Sequence, residues 1–100
     1  METYDVKLTN TAVADLDEIY AYVASVLQEP ATALRLIETL EAGISSLREL
    51  PERCPTRKIG QFAEQGYRQL FVKNFTVVYR VDTQKKQVII LTVRYSKSLF

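Results

Sequence analysis

Apolar and polar positions change period twice along the chain. Tyr4, Val6 and Leu8 alternate with Asp5 and Lys7, the period-two signature of a short, half-buried strand. Beyond Asn10 and Thr11, either of which can cap a helix, Val13, Leu16, Ile19, Tyr20, Val23 and Leu27 recur at steps of three and four. This spacing predicts a helix over residues 11–27, with Asp15, Asp17 and Glu18 mostly in solvent. Pro30 suits the first turn of a second helix. Ala33, Ile37, Leu40, Ile44 and Leu47 form its buried stripe, and Pro51 ends it soon after Leu50. Gly43 costs that helix ~1 kcal/mol relative to Ala and points to close packing against the first helix. So few residues separate the two helices that an antiparallel hairpin is expected.

Periodicity is lost over residues 53–66, a long loop punctuated by Pro55, Gly60 and Gly66. Three runs rich in Val, Ile, Phe and Tyr follow, at 67–72, 75–82 and 87–94, and read as strands. Lys73-Asn74 makes the first tight turn, since Asn tolerates positive φ, and residues 83–86 make the second. In the middle strand Phe75, Val77, Tyr79 and Val81 share one face. In the last, Ile89, Leu91, Val93 and Tyr95 are expected to oppose Val88, Ile90, Thr92 and Arg94. The order is β-α-α-β-β-β, an α+β fold with an N-terminal strand and a helical hairpin packed on an antiparallel sheet. Residues 1–100 read as a single domain.

Composition narrows the chemistry more than the fold. With 47% hydrophobic and 25% charged residues and only 3 Gly and 3 Pro, collagen-like and disordered chains are excluded. The absence of His and the single Cys54 remove His-dependent triads, His-based metal sites, internal disulfides and CxxC motifs. No cofactor and no metal are expected. One free thiol, and a start reading METYDVKL without an apolar leader, predict a cytoplasmic protein. Apolar runs such as 88–91 are far shorter than the ~20 residues a bilayer span needs.

The net charge of +1 conceals an asymmetry. Residues 1–52 carry three basic against ten acidic side chains, a balance of −7, and residues 53–100 carry ten against two, a balance of +8. Either the two halves attract each other within the fold, or the second half meets an acidic partner.

Paired carboxylates, Asp15 with Glu18 and Glu38 with Glu41, stand on solvated helix faces, where nothing apolar would raise a pKa. Cys54 has no His to activate it. The remaining candidates are the cations and phenols of the second half. Arg57 and Lys58 lie in the long loop, Arg68 near the start of the first meander strand, Lys73 in a turn, and Arg94, Tyr95 and Lys97 towards the end. Such groups can hold a phosphate and exchange a proton in a metal-free RNA-cleaving site. They can equally hold an acidic peptide or decorate a sheet edge. Arg80 reads as a strand residue reaching solvent or an acidic neighbour.

An ordered set of segments carries a family resemblance. ADLDEIYAYVA at residues 14–24, Leu50-Pro51-Glu52-Arg53, GYRQLFVKNFTVVYRVD at 66–82 and VIILTVRYSK at 88–97 together resemble the RelE/ParE superfamily of toxins from bacterial type II toxin–antitoxin pairs. The resemblance implies a helical hairpin on an antiparallel sheet and a cognate antitoxin as partner. In the RelE-like branch it implies cleavage of ribosome-bound messenger RNA, with Arg68, Tyr95 and Lys97 as the catalytic candidates. In the ParE-like branch it implies poisoning of DNA gyrase. When Tyr79-Arg80-Val81 is matched to the family's Tyr-x-Val, Leu70 falls at a position that can hold a second basic residue. Thr76 then falls where the strand arginine of the nucleases stands. Relatives commonly end with two Arg and an Asp after the last aromatic, where this chain reads Ser96-Lys97-Ser98-Leu99-Phe100. The departures at Leu70 and Thr76 suit the gyrase branch, with Arg57, Lys58, Arg68, Lys73, Arg94 and Lys97 as binding candidates. The alternatives are a RelE-like endoribonuclease and an inactive member that only binds its antitoxin.

Overall fold

A computed structural model describes residues 3–97. They form β1 (Asp5–Leu8), α1 (Asn10–Ala21), a π-helical turn (Tyr22–Val26) and α2 (Pro30–Ser45). Two 3-10 turns (Ser46–Arg48 and Pro51–Arg53), β2 (Arg68–Val72), β3 (Phe75–Asp82) and β4 (Gln87–Tyr95) complete the order. β2, β3 and β4 make the expected antiparallel meander, and β1 adds to it in parallel beside β4, giving a mixed sheet of order β1-β4-β3-β2. The helices cover one face. Ala12, Leu40, Ile44 and Leu47 pack there against Val77, Tyr79, Val88 and Ile90 in the hydrophobic core. No helix among the described residues is long and apolar enough to cross a membrane.

The expected strict alternation of β4 does not hold. Val78 pairs with Thr92 while Tyr79 pairs with Ile90, so Leu91 is an extra residue opposite one step of β3, a bulge. Val88 and Ile90 therefore share the helix-covered face with Val93 and Tyr95, and Thr92 and Arg94 turn to the other. A regular strand would send either Ile90 or Val93 to the far face. The bulge buries both.

The start of α1 is tied to this bulge. Its cap is Thr9 rather than Asn10 or Thr11: the Thr9 Oγ1 accepts from the Ala12 N–H at 3.1 Å and lies 2.9 Å from both the Ile90 and Leu91 carbonyl oxygens, to which it donates. The buried stripe is correspondingly rotated. Ala12, Leu16, Ile19 and Val23 face the core, whereas Val13, Tyr20 and Leu27 are exposed. Asp15 is drawn inward against the expectation of a solvated carboxylate. It accepts hydrogen bonds from the Thr92 hydroxyl and from the Val93 N–H, the latter at 3.0 Å.

Pro30 opens α2 as expected, but the helix stops at Ser45, short of Leu50. The turn that follows is held by a cation from farther along: Arg53 Nη1 donates to the carbonyls of Ser46, which caps α2, and of Glu49 and Leu50 beyond it, at 3.2, 2.8 and 3.3 Å, a favourable place for a cation just past a helix C-terminus. Gly43 marks close packing against β2 and not against α1. A Cβ on it would stand 2.7 Å from Val72 Cγ2. In the β2–β3 turn it is Lys73, with φ 54°, that takes the left-handed conformation.

Tyr79 is fully buried and donates to the Pro51 carbonyl at 2.6 Å, tying the turn after α2 to the centre of the sheet. Burial, reinforced by the adjacent Cys54, pushes its phenol pKa well above the ordinary value, against the opposing charges of Arg53 and Arg68.

Two predictions follow from this packing. Gly43→Ala is expected to destabilise by about 1 kcal/mol, because overpacking costs ~1–3 kcal/mol and the gain in helix propensity returns only ~1 kcal/mol. A urea double-mutant cycle with Val72→Ala should recover most of the loss. The Tyr79 pKa is higher folded than unfolded, so its stabilisation is complete below about pH 10 and is lost as pH rises beyond that value. Tyr79→Phe should cost about 1–3 kcal/mol at neutral pH by orphaning the Pro51 carbonyl. It should also flatten the alkaline fall in stability, measured by chemical denaturation between about pH 8 and 11.

Candidate functional site

The cationic and phenolic candidates fall into three places. Arg57 is only 8% exposed. Its backbone N–H donates to the Tyr67 carbonyl at 2.7 Å, and its Nε and Nη1 donate to the Gln61 carbonyl at 2.6 Å and Gln69 Oε1 at 3.0 Å. Arg94 reaches the same Gln61, donating from Nη1 to its Oε1 at 3.2 Å and from Nε to Thr92 Oγ1 at 3.3 Å. The long loop is thereby strapped over the sheet face opposite the helices, where Thr76, Val78 and Thr92 are buried. Burial first, and the charge of Arg94 second, push the Arg57 pKa below the usual guanidinium value.

Arg68 sits at the other end of β3 and on the helix-covered face, opposite Tyr79. It donates to the Cys54 carbonyl at 2.6 Å and pairs with Glu52 at 3.7 Å. Tyr95 lies opposite Phe75, which it meets edge-on with ring centroids 5.8 Å apart. Four positions of β3, at ~3.4 Å each, separate the two, with Val77 between them. Lys97 and Lys73 are exposed near this end, where the Ser96 N–H donates to the Asn74 carbonyl at 2.7 Å. Lys58 is exposed in the long loop. The structure thus brings Arg57 to Arg94 and keeps Arg68 apart from Tyr95.

A groove of about 880 Å³ runs between the hairpin and the upper half of β4. Its apolar floor includes Ile19, Val23, Leu36 and Val93, with Tyr22, Leu27, Phe75 and Tyr95 around it and Asp15 and Glu18 along the α1 wall. Of the cationic and phenolic candidates named from sequence only Arg94 and Tyr95 line it. Tyr22 and Leu27 are about half exposed, at 55% and 49%, and Val26 and Leu34, outside the lining, are also exposed on the hairpin. Two signals pointed to this surface: the hairpin holds more apolar residues than one buried stripe uses, and no basic residue occurs between Lys7 and Arg35. Exposed apolar area concentrated in one concave place is characteristic of an interaction surface.

A family model for the ParE toxin of the type II toxin–antitoxin system parDE matches residues 6–100. Among solved structures, the chain is similar to the chromosomal ParDE toxin–antitoxin system of P. aeruginosa, with a TM-score of 0.79 and 25% identity over 97% of this chain and 100% of the other. It is also similar to the RelBE2 toxin–antitoxin complex of Mycobacterium tuberculosis, with a TM-score of 0.65 and 23% identity over 95% and 93% of the two chains. The intact E. coli RelBE complex gives a TM-score of 0.62 at 15% identity over 95% and 99%. A sequence search of curated proteins finds no match.

The Asp15 carboxylate serves two donors at the groove wall, so Asp15→Ala leaves the Val93 N–H and Thr92 hydroxyl without their acceptor. The expected loss is about 2–3 kcal/mol, seen by thermal melting as a Tm lowered by roughly 10–20 °C. Asp15→Asn, which keeps one acceptor oxygen, should lose markedly less.

Proposed function

Because the chain belongs to the ParE toxin family of type II toxin–antitoxin systems, we propose that it inhibits growth by binding DNA gyrase and is neutralised by a cognate antitoxin. The observation that carries the choice of target is Thr76. In the nuclease branch this strand position is an arginine that stabilises charge developing on the cleaved phosphate. Here the residue is 2% exposed, under the long loop, and its hydroxyl is 2.8 Å from that of Ser96. Leu70, at the position that can hold a second basic residue, pairs with Val77 and packs against the hydrophobic core. Arg68 is engaged by Cys54 and Glu52, a strand's length from Tyr95. Each missing cationic donor is worth ~3 kcal/mol of transition-state stabilisation, about a hundredfold in rate. A surface that binds a partner protein needs no such set.

The antitoxin reading is supported by the solved toxin–antitoxin systems of the same fold and by the half-exposed aromatic and aliphatic side chains around the groove. The antitoxin is proposed to dock across the surface shared by the hairpin and the end of the sheet. Such docking buries apolar area and is expected to show a negative heat-capacity change by calorimetry.

The test is a pair of assays with purified protein. Supercoiling of relaxed plasmid by gyrase and ATP should fall as the chain is added and recover when the antitoxin encoded beside its gene is present. Messenger RNA on translating ribosomes should remain intact. Discrete cleavage within codons, abolished by Arg68→Ala or Tyr95→Phe, would replace gyrase by the ribosome as the target. Silence in both assays, with a complex still formed, would leave antitoxin binding as the function.

A further inference from the structure

The two walls of the groove do not carry the charges that the two halves of the sequence suggest. One of the two readings of the charge asymmetry has the basic half receive an acidic partner segment, yet Arg94, the cation among the residues lining the groove, directs its Nε to Thr92 and its Nη1 to Gln61 in the long loop. Asp15 and Glu18 stand three residues apart on the α1 wall, hence on one side of the helix. Asp15 is met by a hydroxyl and an amide, neither of them charged. Glu18 is exposed, and its side chain makes no hydrogen bond or ion pair among the described residues. Arg94 reaches the same Thr92 hydroxyl that bonds Asp15, but with no Lys or Arg between Lys7 and Arg35, α1 itself supplies no cation to Glu18.

The backbone also limits how a partner can sit. The Val93 N–H at the rim of the groove is already bound by Asp15, so a segment cannot add to β4 there as a further strand without displacing that carboxylate. What remains open is side-chain packing into a concave apolar floor, the mode of an amphipathic helix.

We propose that Glu18 is a specificity-determining residue of the antitoxin interface: the docking helix of the antitoxin lays apolar side chains into the groove and sets a lysine or arginine against Glu18. This rests on the reading of the chain as an antitoxin-bound toxin. It deepens that reading by fixing the sign of the charge the partner must carry at the α1 wall. Opposite charges across a partly desolvated rim discriminate between partners more than they add affinity, so a related antitoxin with an acidic residue at that position is rejected.

The experiment uses the purified chain and the antitoxin encoded beside its gene, with the dissociation constant measured by calorimetric competition at low and high salt. Glu18→Lys should weaken binding at least about tenfold and Glu18→Gln by about threefold, both effects shrinking as salt rises. Glu41→Lys, on α2 and not among the groove's lining residues, should stay within about twofold. Replacing the responsible antitoxin Lys or Arg by Glu should weaken the wild-type complex and restore binding to Glu18→Lys. Circular dichroism confirms that the variants fold, as expected for an exposed helical position. A complex that forms normally but is indifferent to Glu18→Lys, or tightened by it, overturns the charge assignment and leaves the toxin reading standing. Failure of the wild-type chain to bind the antitoxin at all overturns both.

Discussion

β4 is nine residues long and β1 pairs with only its first four, so the rest of that sheet edge has to be closed by something other than a strand. Thr9 and Asp15 close it. Thr9 donates to the carbonyls around the Leu91 bulge while capping α1, and Asp15 takes the Val93 N–H and the Thr92 hydroxyl. An unpaired strand edge is a template for unwanted pairing, and a buried N–H without an acceptor costs ~1–3 kcal/mol. Two side chains from the first turns of one helix answer both demands.

The position of everything around the groove follows from that clamp. With Thr9 and Asp15 held against β4, α1 is rotated so that Ala12, Leu16, Ile19 and Val23 meet the core. Tyr20, Tyr22 and Leu27 are left towards solvent. The polar connections continue across the sheet. Thr92 bonds Arg94, Arg94 bonds Gln61, and Gln61 and Gln69 hold Arg57. The helix that walls the groove is thereby linked to the loop that covers the opposite face.

Charge is distributed by the same geometry. The acidic and basic halves of the chain meet directly at Glu52 and Arg68, and Arg53 is spent on the turns that follow α2. Arg57 and Arg94 are committed to holding the loop. Cations that a catalytic reading would need at one phosphate are therefore divided among structural tasks, while the lysines stay exposed at loop and turn. Carboxylates, the groups that looked merely solvated, are what face the groove.

The sequence by itself determined the element order, the helical hairpin and the meander, because periods of two and of about 3.6 report which face each element buries; the family resemblance lay in the ordered segments between residues 14 and 97. Pro30 marks the start of α2, and Thr76 and Leu70 depart from the nuclease pattern once the chain is matched to the family. Tertiary structure alone decided the Leu91 bulge, the parallel pairing of β1 and the contact of Gly43 with Val72. It also decided the inward turn of Asp15 and the separation of Arg68 from Tyr95. Each of these depends on which strand lies next to which and at what register, a relation between residues up to about eighty positions apart, as between Thr9 and Ile90. Local periodicity reports the face a residue turns inward. It holds no information on the neighbour that residue will meet there.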